Sequence, residues 1–164
     1  MVIGRKSIDG YGLEMPDPQP FVIGVPTTAQ DWANSYDLRW RVLREPWAQP
    51  RGSERDSLDD TAFHLCGKCA GGSIIATGRL HLNSPTEAQV RYMAVDPAFQ
   101  GCGVGKGLLD ALEVRARSLG CRIITLNSRD SARRFYENQG YIVDSPAPVL
   151  FGSIEHVKMS KQLS

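Results

Sequence analysis

Val90-Arg-Tyr-Met-Ala-Val-Asp-Pro-Ala-Phe-Gln-Gly-Cys-Gly-Val-Gly-Lys-Gly-Leu-Leu109 is the stretch whose reading decides the fold. A strand pattern runs through a Gly-rich segment straight into a helical one. Residues 100–107 hold four glycines. A helix start presents N–H groups without intrahelical partners and the positive end of the dipole. Glycines let a backbone come close to a ligand, so together these features favour a phosphate or pyrophosphate. A simple strand-to-helix turn would use one or two glycines. A P-loop, G-x-x-x-x-G-K-[ST], does not fit: its first glycine falls on Gln100 and its hydroxyl residue on Gly107. A Rossmann G-x-G-x-x-G places its third glycine on Lys106 or Leu108, and its strand should open the fold, whereas three strands precede this one.

Outward from that loop, the helix carries Leu108, Leu112 and Leu119 on one face, with Glu113 and Arg117 as an i,i+4 pair and Gly120 as its stop. Cys121 to Leu126 is an apolar strand. Asp130 or Ser131 is expected to cap a short helix from Ala132 to Gln139, closed by Gly140, before strands at Tyr141–Val143 and Val149–Met159. Upstream, Ala62–Cys66, Ser73–Leu82 and Ala88–Val95 read as an antiparallel meander with turns at Gly71-Gly72 and Asn83-Ser84-Pro85. Phe21–Val25 is a further strand. Thr28 and Asp31 have capping-box spacing, and Trp32, Tyr36, Trp40 and Leu43 follow along one face of a helix that Pro46 stops. Residues 1–20 read as an N-terminal arm, and residues 21–164 as one domain. The polar stretch from Ala48 to Asp60 reads as a long loop in which Asp59 and Asp60 are solvated charges. The order is β-α-β-β-β-α-β-α-β-β, an α/β chain with a mixed, mostly antiparallel sheet of six or seven strands and helices on both faces.

The chain has 164 residues, 41% hydrophobic and 23% charged, which suits one globular domain. Net charge is +1, giving no argument for nucleic-acid or membrane affinity. The first twenty residues lack the apolar segment of a signal peptide, so a cytoplasmic location is the expectation. Cys66-Gly-Lys-Cys69 has metal-ligand spacing, but Cys102 and Cys121 form no second pair, and the segment reads as a hairpin; no metal is expected.

Gln100-Gly-Cys-Gly-Val-Gly105 resembles the [RQ]-x-x-G-x-[GA] signature of the Gcn5-related N-acetyltransferase (GNAT) superfamily. The strand Val90–Pro97 and the segment Leu126-Asn127 … Ala132-Arg-Arg-Phe135-Tyr136 … Gly140-Tyr141 resemble the family's in the same order, over residues 60–160. Ile154-Glu-His-Val-Lys-Met159, with Leu38-Arg … Val42-Leu-Arg-Glu45, resembles a bacterial branch typified by ElaA. The resemblance implies a GNAT fold and acetyl-CoA as co-substrate. Gln100, Gly101, Cys102, Gly103, Val104, Gly105 and Lys106 would cradle its pyrophosphate. The edge at Met93, Ala94 and Val95 would pair with its pantetheine where adjacent strands splay, and Asn127 would bond the pantetheine amides. Tyr136 matches the family's general-acid tyrosine, with Phe135 facing the core.

The implied reaction is direct attack of a primary amine, on a small molecule or peptide, on the thioester. A proton must leave that amine, because an alkyl ammonium has a pKa of about 10. Some relatives carry a glutamate where this chain has Gln89, which is no base. His81, Glu45, Glu87 and His156 remain as candidates, with His81 as base and Glu45 as base or holder of the amine's charge taken forward. A non-catalytic CoA-binding module is the alternative. A homodimer is possible on family grounds, and nothing in the sequence names the acceptor.

Overall fold

The capping box at Thr28 is formed. Its hydroxyl accepts from the Asp31 N–H at 3.0 Å, and the Asp31 carboxylate accepts from the Thr28 N–H at 3.4 Å. It opens α1 (Ala29–Leu43) in a computed structural model that describes residues 20–164. The arm expected over residues 1–20 lies, apart from Pro20, outside the described residues. Trp32, Tyr36, Trp40 and Leu43 line one face of α1, but that face is only half-buried. The positions that sink fully are Leu38 and Arg39. Surface cations hold the aromatics instead: the Arg51 guanidinium lies 3.8 Å from the Trp40 ring centre and that of Arg55 4.3 Å from Tyr36.

Seven strands follow the expected order: β1 (Phe21–Gly24), β2 (Phe63–Cys69), β3 (Ile74–Ser84), β4 (Glu87–Val95), β5 (Ile123–Arg129), β6 (Ile142–Leu150) and β7 (Ile154–Gln162). They form one sheet in the order β1-β2-β3-β4-β5-β7-β6. Every pair is antiparallel except β4–β5. That parallel pair is joined by the crossover helix α2 (Val104–Ser118), as parallel neighbours require. Cys66 and Cys69 sit on β2, free, with the turn after them; among the described residues no cluster of three metal-ligating side chains occurs.

α2 buries Leu108, Leu109, Leu112 and Ala116 completely, and each leucine contributes about 1.5–3 kcal/mol. Leu119 is exposed rather than on that face, because the helix ends at Ser118 and Gly120 (φ 83) turns the chain. α2 lies against β1–β4 on one side of the sheet. The fit is close: a Cβ on Gly78 would stand 3.2 Å from Leu108 and Leu112, and one on Gly67 only 2.8 Å from Val104. α1 packs on β3 and β4. The next residue along from Gly78, Arg79, points to that opposite side, where it shares Asp59 with Arg39 of α1. Helices therefore cover both faces.

Two local expectations are corrected. Neither Asp130 nor Ser131 caps the short helix: α3 (Arg133–Asn138) starts after a 3-10 turn, with no side-chain cap. The last hairpin turns at Phe151–Ser153, not over Asp144–Pro148, and β6 runs through Pro146 and Pro148. Proline tolerates this because β6 is the sheet edge and needs no outward donors. A third correction concerns the long loop. Asp59 is buried at 3% exposure in ion pairs, while Asp60 is exposed as read.

Candidate active site

β4 carries an irregularity that opens the sheet. Thr77 pairs with Ala94 and Arg79 with Arg91, so Gly78 alone lies opposite both Tyr92 and Met93. That is a β-bulge, which bends and twists a strand. Tyr92 adopts φ 54, a left-handed conformation that a bulky residue rarely takes. It is held from several sides. The guanidiniums of Arg39, Arg79 and Arg91 lie 4.5, 4.9 and 4.9 Å from its ring centre, and its hydroxyl donates to Asp56 Oδ2 at 3.3 Å. Pairing of β4 with β5 ends at Val90 and Leu126, although β4 continues to Val95 and β5 to Arg129. Beyond that point the strands diverge.

A cavity of about 300 Å³ occupies the divergence. Met93 lines one wall, and Leu126 and Asn127 the other. Tyr136 of α3 closes the site from the side, at 8% exposure. Burial pushes its phenol up to about 12, only partly countered by the charge of Arg129. Its ring is edge-on to Phe135 at 5.0 Å and to Tyr141 at 5.8 Å. Phe135, expected in the core, is the less buried of the pair. It packs at the start of α2, where a Cβ on Gly105 would meet its ring at 3.6 Å.

The same notional Cβ would meet Val95 at 3.4 Å, so the Gly-rich loop borders the end of β4. Gly101 and Gly103 take φ values of 80 and 90, and a Cβ on either would meet nothing within 4 Å among the described residues. Gly103 is the N-cap of α2 and supplies no side-chain cap. The first N–H groups of α2 thus lie beside open space, which fits an anion brought close to the backbone. Gln100 and Lys106 are exposed, and Lys106 pairs with Asp110 at 2.6 Å. Cys102 is half-buried and Val104 fully buried. Ala94 faces the interior, paired with Thr77 of β3.

The proposed proton acceptors separate. His81 lies opposite Gln89 on β3 and lines no part of this cavity. Among the described residues its Nδ1 is buried without a hydrogen-bond partner, and burial followed by the charge of Arg79 lowers its pKa. Glu45 is exposed beyond the end of α1, and Glu87 is occupied by Asn83 at 2.9 Å; neither lines the cavity. His156 of β7 does line it. Its Nδ1 lies 2.9 Å from the Ile154 carbonyl oxygen, which can only accept. Nδ1 therefore carries the proton and Nε2 keeps the lone pair. Burial lowers its pKa, and Arg129 and Arg44 add to this against the pull of that carbonyl, so the ring is neutral at pH 7.

Arg44 and Arg129 were not legible as site residues. Arg44 follows α1, Arg129 ends β5, and only the fold brings them to one cavity.

Comparison with known proteins gives the family and the fold. The profile of the Acetyltransferase (GNAT) family matches residues 32–141. The N-alpha-acetyltransferase RimI of Mycobacterium tuberculosis is 29% identical over 130 residues, 76% of this chain and 80% of its own length. Escherichia coli ElaA superposes with a TM-score of 0.72 at 17% identity, over 87% of this chain and 99% of that one. An aminoglycoside 6'-N-acetyltransferase complexed with coenzyme A superposes with a TM-score of 0.73 at 13% identity, over 87% and 97%. At such identities the two structures speak for the fold alone, while the profile spans the bulged strand, the Gly-rich loop and Tyr136. This chain belongs to the GNAT family and is an acetyltransferase.

Proposed function

We propose that the chain moves the acetyl group of acetyl-CoA to a primary amine of a small molecule or peptide, by direct attack within a ternary complex. The observation that carries this reading is the divergence of β4 and β5 after Val90 and Leu126, with Tyr136 on the wall of the resulting cavity. The open turn at Gly101 and Gly103, leading into the first N–H groups of α2, suits the pyrophosphate. The free edge of β4 from Met93 to Val95 suits a pantetheine arm lying in the sheet as an added strand. Asn127, exposed and lining the gap, suits an amide of that arm. A backbone N–H near Val95 would polarise the thioester carbonyl.

The coenzyme supplies an activated acyl carbon and a thiol leaving group. The amine nitrogen bonds to that carbon, the C–S bond breaks, and the thiolate departs with the electron pair. His156 Nε2 is the proton acceptor that best suits the cavity, for it is neutral and holds its lone pair. Tyr136 remains fully protonated near pH 7. A phenol near 12 is a weaker acid than a thiol of about 8.5. Its role is therefore to donate a hydrogen bond to the departing sulfur as charge develops, with the final proton coming from the amine through solvent or His156. Tyr136→Phe should lower kcat at least tenfold, with the Kd for acetyl-CoA barely changed. The checks are thiol release over an amine panel and calorimetric titration. Unchanged turnover would remove Tyr136 from the reaction.

A further inference from the structure

Among the described residues, the cavity that the proposed reaction uses is lined by three arginines and a histidine and by no carboxylate. Amine acetylation makes this unexpected, since an acceptor that arrives as an ammonium gains nothing from a cationic wall. The arginines are not equivalent. Arg91 is exposed and has Asp56 at 3.4 Å. Arg44 and Arg129 have no carboxylate within salt-bridge distance among the described residues. Both reach one backbone oxygen instead: Arg44 Nη1 donates to the Leu43 carbonyl at 2.9 Å and Arg129 Nη2 to the same carbonyl at 3.2 Å. Arg44 Nε donates to the Ser53 carbonyl at 3.0 Å.

The contrast with the rest of this face is informative. Arg39 and Arg79 are both fully buried, and each has a carboxylate at 2.8 Å or less. The fold thus neutralises its other buried guanidiniums. It leaves Arg44, at 8% exposure, and the half-buried Arg129 close together with only aromatic faces against them, Phe151 at 5.2 Å from Arg44 and Trp47 at 4.2 Å from Arg129, and no carboxylate among the described residues. Two cations held side by side away from bulk water are costly unless an anion joins them. Their positions fit this. α1 packs on the sheet face opposite α2, and Arg44, just past its end, lines the cavity together with Arg129, His156 and Tyr136.

Given the acetyl transfer proposed above, we infer that the acceptor carries a carboxylate as well as its amine, and that Arg44 and Arg129 bind that carboxylate. The donors left free on the two guanidiniums suit the two oxygens of a carboxylate. The amine of the same molecule is then directed inward toward His156 and Tyr136. The class is an amino acid or a peptide with an acidic first residue.

The experiment compares matched acceptors with and without the charge. Glycine, β-alanine and 4-aminobutyrate are assayed against their carboxamides, and a Glu-initiated tripeptide against the Gln-initiated one. The wild-type kcat/KM is expected to favour the acid at least tenfold in one of the two sets, and the set that shows it identifies the free amino acid or the peptide as source. Arg44→Gln and Arg129→Gln should each bring the acid-to-amide ratio toward one. Carboxamides used as well as the acids would overturn the inference, and a ratio unmoved in both folded variants would overturn the assignment to these arginines. If a variant does not fold, the wild-type ratio alone decides. A second readout needs no turnover: the calorimetric Kd of N-acetylglycine and N-acetyl-Glu peptide against their amides, on protein saturated with CoA. Arg-dependent preference for the acids without acetylation of any amine would sustain the anion site and sink the proposed reaction. Absence of preference in both assays would sink the anion site alone if amines are acetylated, and both readings if they are not.

Discussion

At the scale of single residues the site is set by which hydrogen bond each side chain already makes. His81 and His156 are both histidines on strands, and burial lowers the pKa of each. Only His156 has a carbonyl partner that assigns its tautomer and a position on the cavity wall. Its neutral form is the base, so activity is lost as pH falls through its pKa, which lies below the ordinary value of about 6.5. A reaction that waited for free amine in solution would instead lose rate far higher, toward the amine's own pKa of about 10. The expected profile of kcat against pH therefore has an acid limb whose midpoint lies below 6.5. His156→Gln should lower the plateau at least tenfold, within the range of general-base effects, and remove the acid limb. An acid limb that persists in the folded His156→Gln enzyme would move the base elsewhere. Tyr136 sets no limb in this range, because its phenol stays protonated.

At the scale of elements, α2 links the packing of the core to the site. Its first residue, Val104, follows the open turn at Gly103 and is wedged against Gly67 of β2. A Cβ there would stand 2.8 Å from Val104 Cγ2 and 3.3 Å from Ala76 and Ile23. Valine has little rotamer freedom with which to yield. Gly67→Ala should therefore push back the start of α2, at about 1–3 kcal/mol of stability, read as a lower urea midpoint at unchanged slope. It should also weaken acetyl-CoA binding several-fold, although Gly67 belongs to no loop that would touch the ligand. A stable variant with wild-type affinity would show that β2 does not position that helix start. The elements themselves were largely legible. Apolar periodicity, the Thr28 capping box and the glycines at 101–107, 120 and 140 mark where strands and helices begin and end, and the order of ten elements follows. The bulge at Tyr92 was not legible, because a left-handed tyrosine has no local signature and is held by groups from α1, β3 and the long loop. The edge position of β6 was hidden too: two prolines argue against a strand until its place at the rim of the sheet is known. Likewise Arg44 and Arg129 are 85 positions apart, and no spacing rule brings them together.

At the scale of the whole molecule, the face of the sheet under α1 is held by charge as well as by the small apolar cluster of Leu38, Cys66 and Ile74. Asp59 accepts from Arg39 Nη1 at 2.8 Å, lies 3.2 Å from Arg79 Nη1 and accepts from the Asp56 N–H at 2.7 Å. Asp56 takes Arg79 in a fork at 2.6 and 3.1 Å and the Tyr92 hydroxyl at 3.3 Å. His64 Nε2 donates to the Asp59 carbonyl at 2.8 Å. A loop that reads as solvated thus ties α1, β2, β3 and the bulge of β4 together, and through that bulge it shapes the cavity. Burial raises the Asp56 carboxyl, but the Arg79 bonds, the Leu58 N–H and the charge of Arg91 outweigh it and bring the pKa to about 2. Asp59 is likewise lowered, its burial outweighed by the Arg39 bond. Unfolded aspartates titrate near 3.9, so between about 2 and 4 the unfolded chain binds more protons. The stability these groups contribute is present above pH 4 and lost as pH falls below it. Asp59→Asn leaves the buried Arg39 guanidinium without a counter-charge, while Arg79 keeps Asp56, and should cost about 3–5 kcal/mol at pH 7. Asp56→Asn should cost less, since Asp56 is partly exposed, but should flatten the loss below pH 4. Urea midpoints at pH 7, 5 and 3.5 for wild type and both variants test this. Equal pH slopes in wild type and Asp56→Asn would mean that the network does not govern acid stability, and the bulge would then need another anchor than the loop.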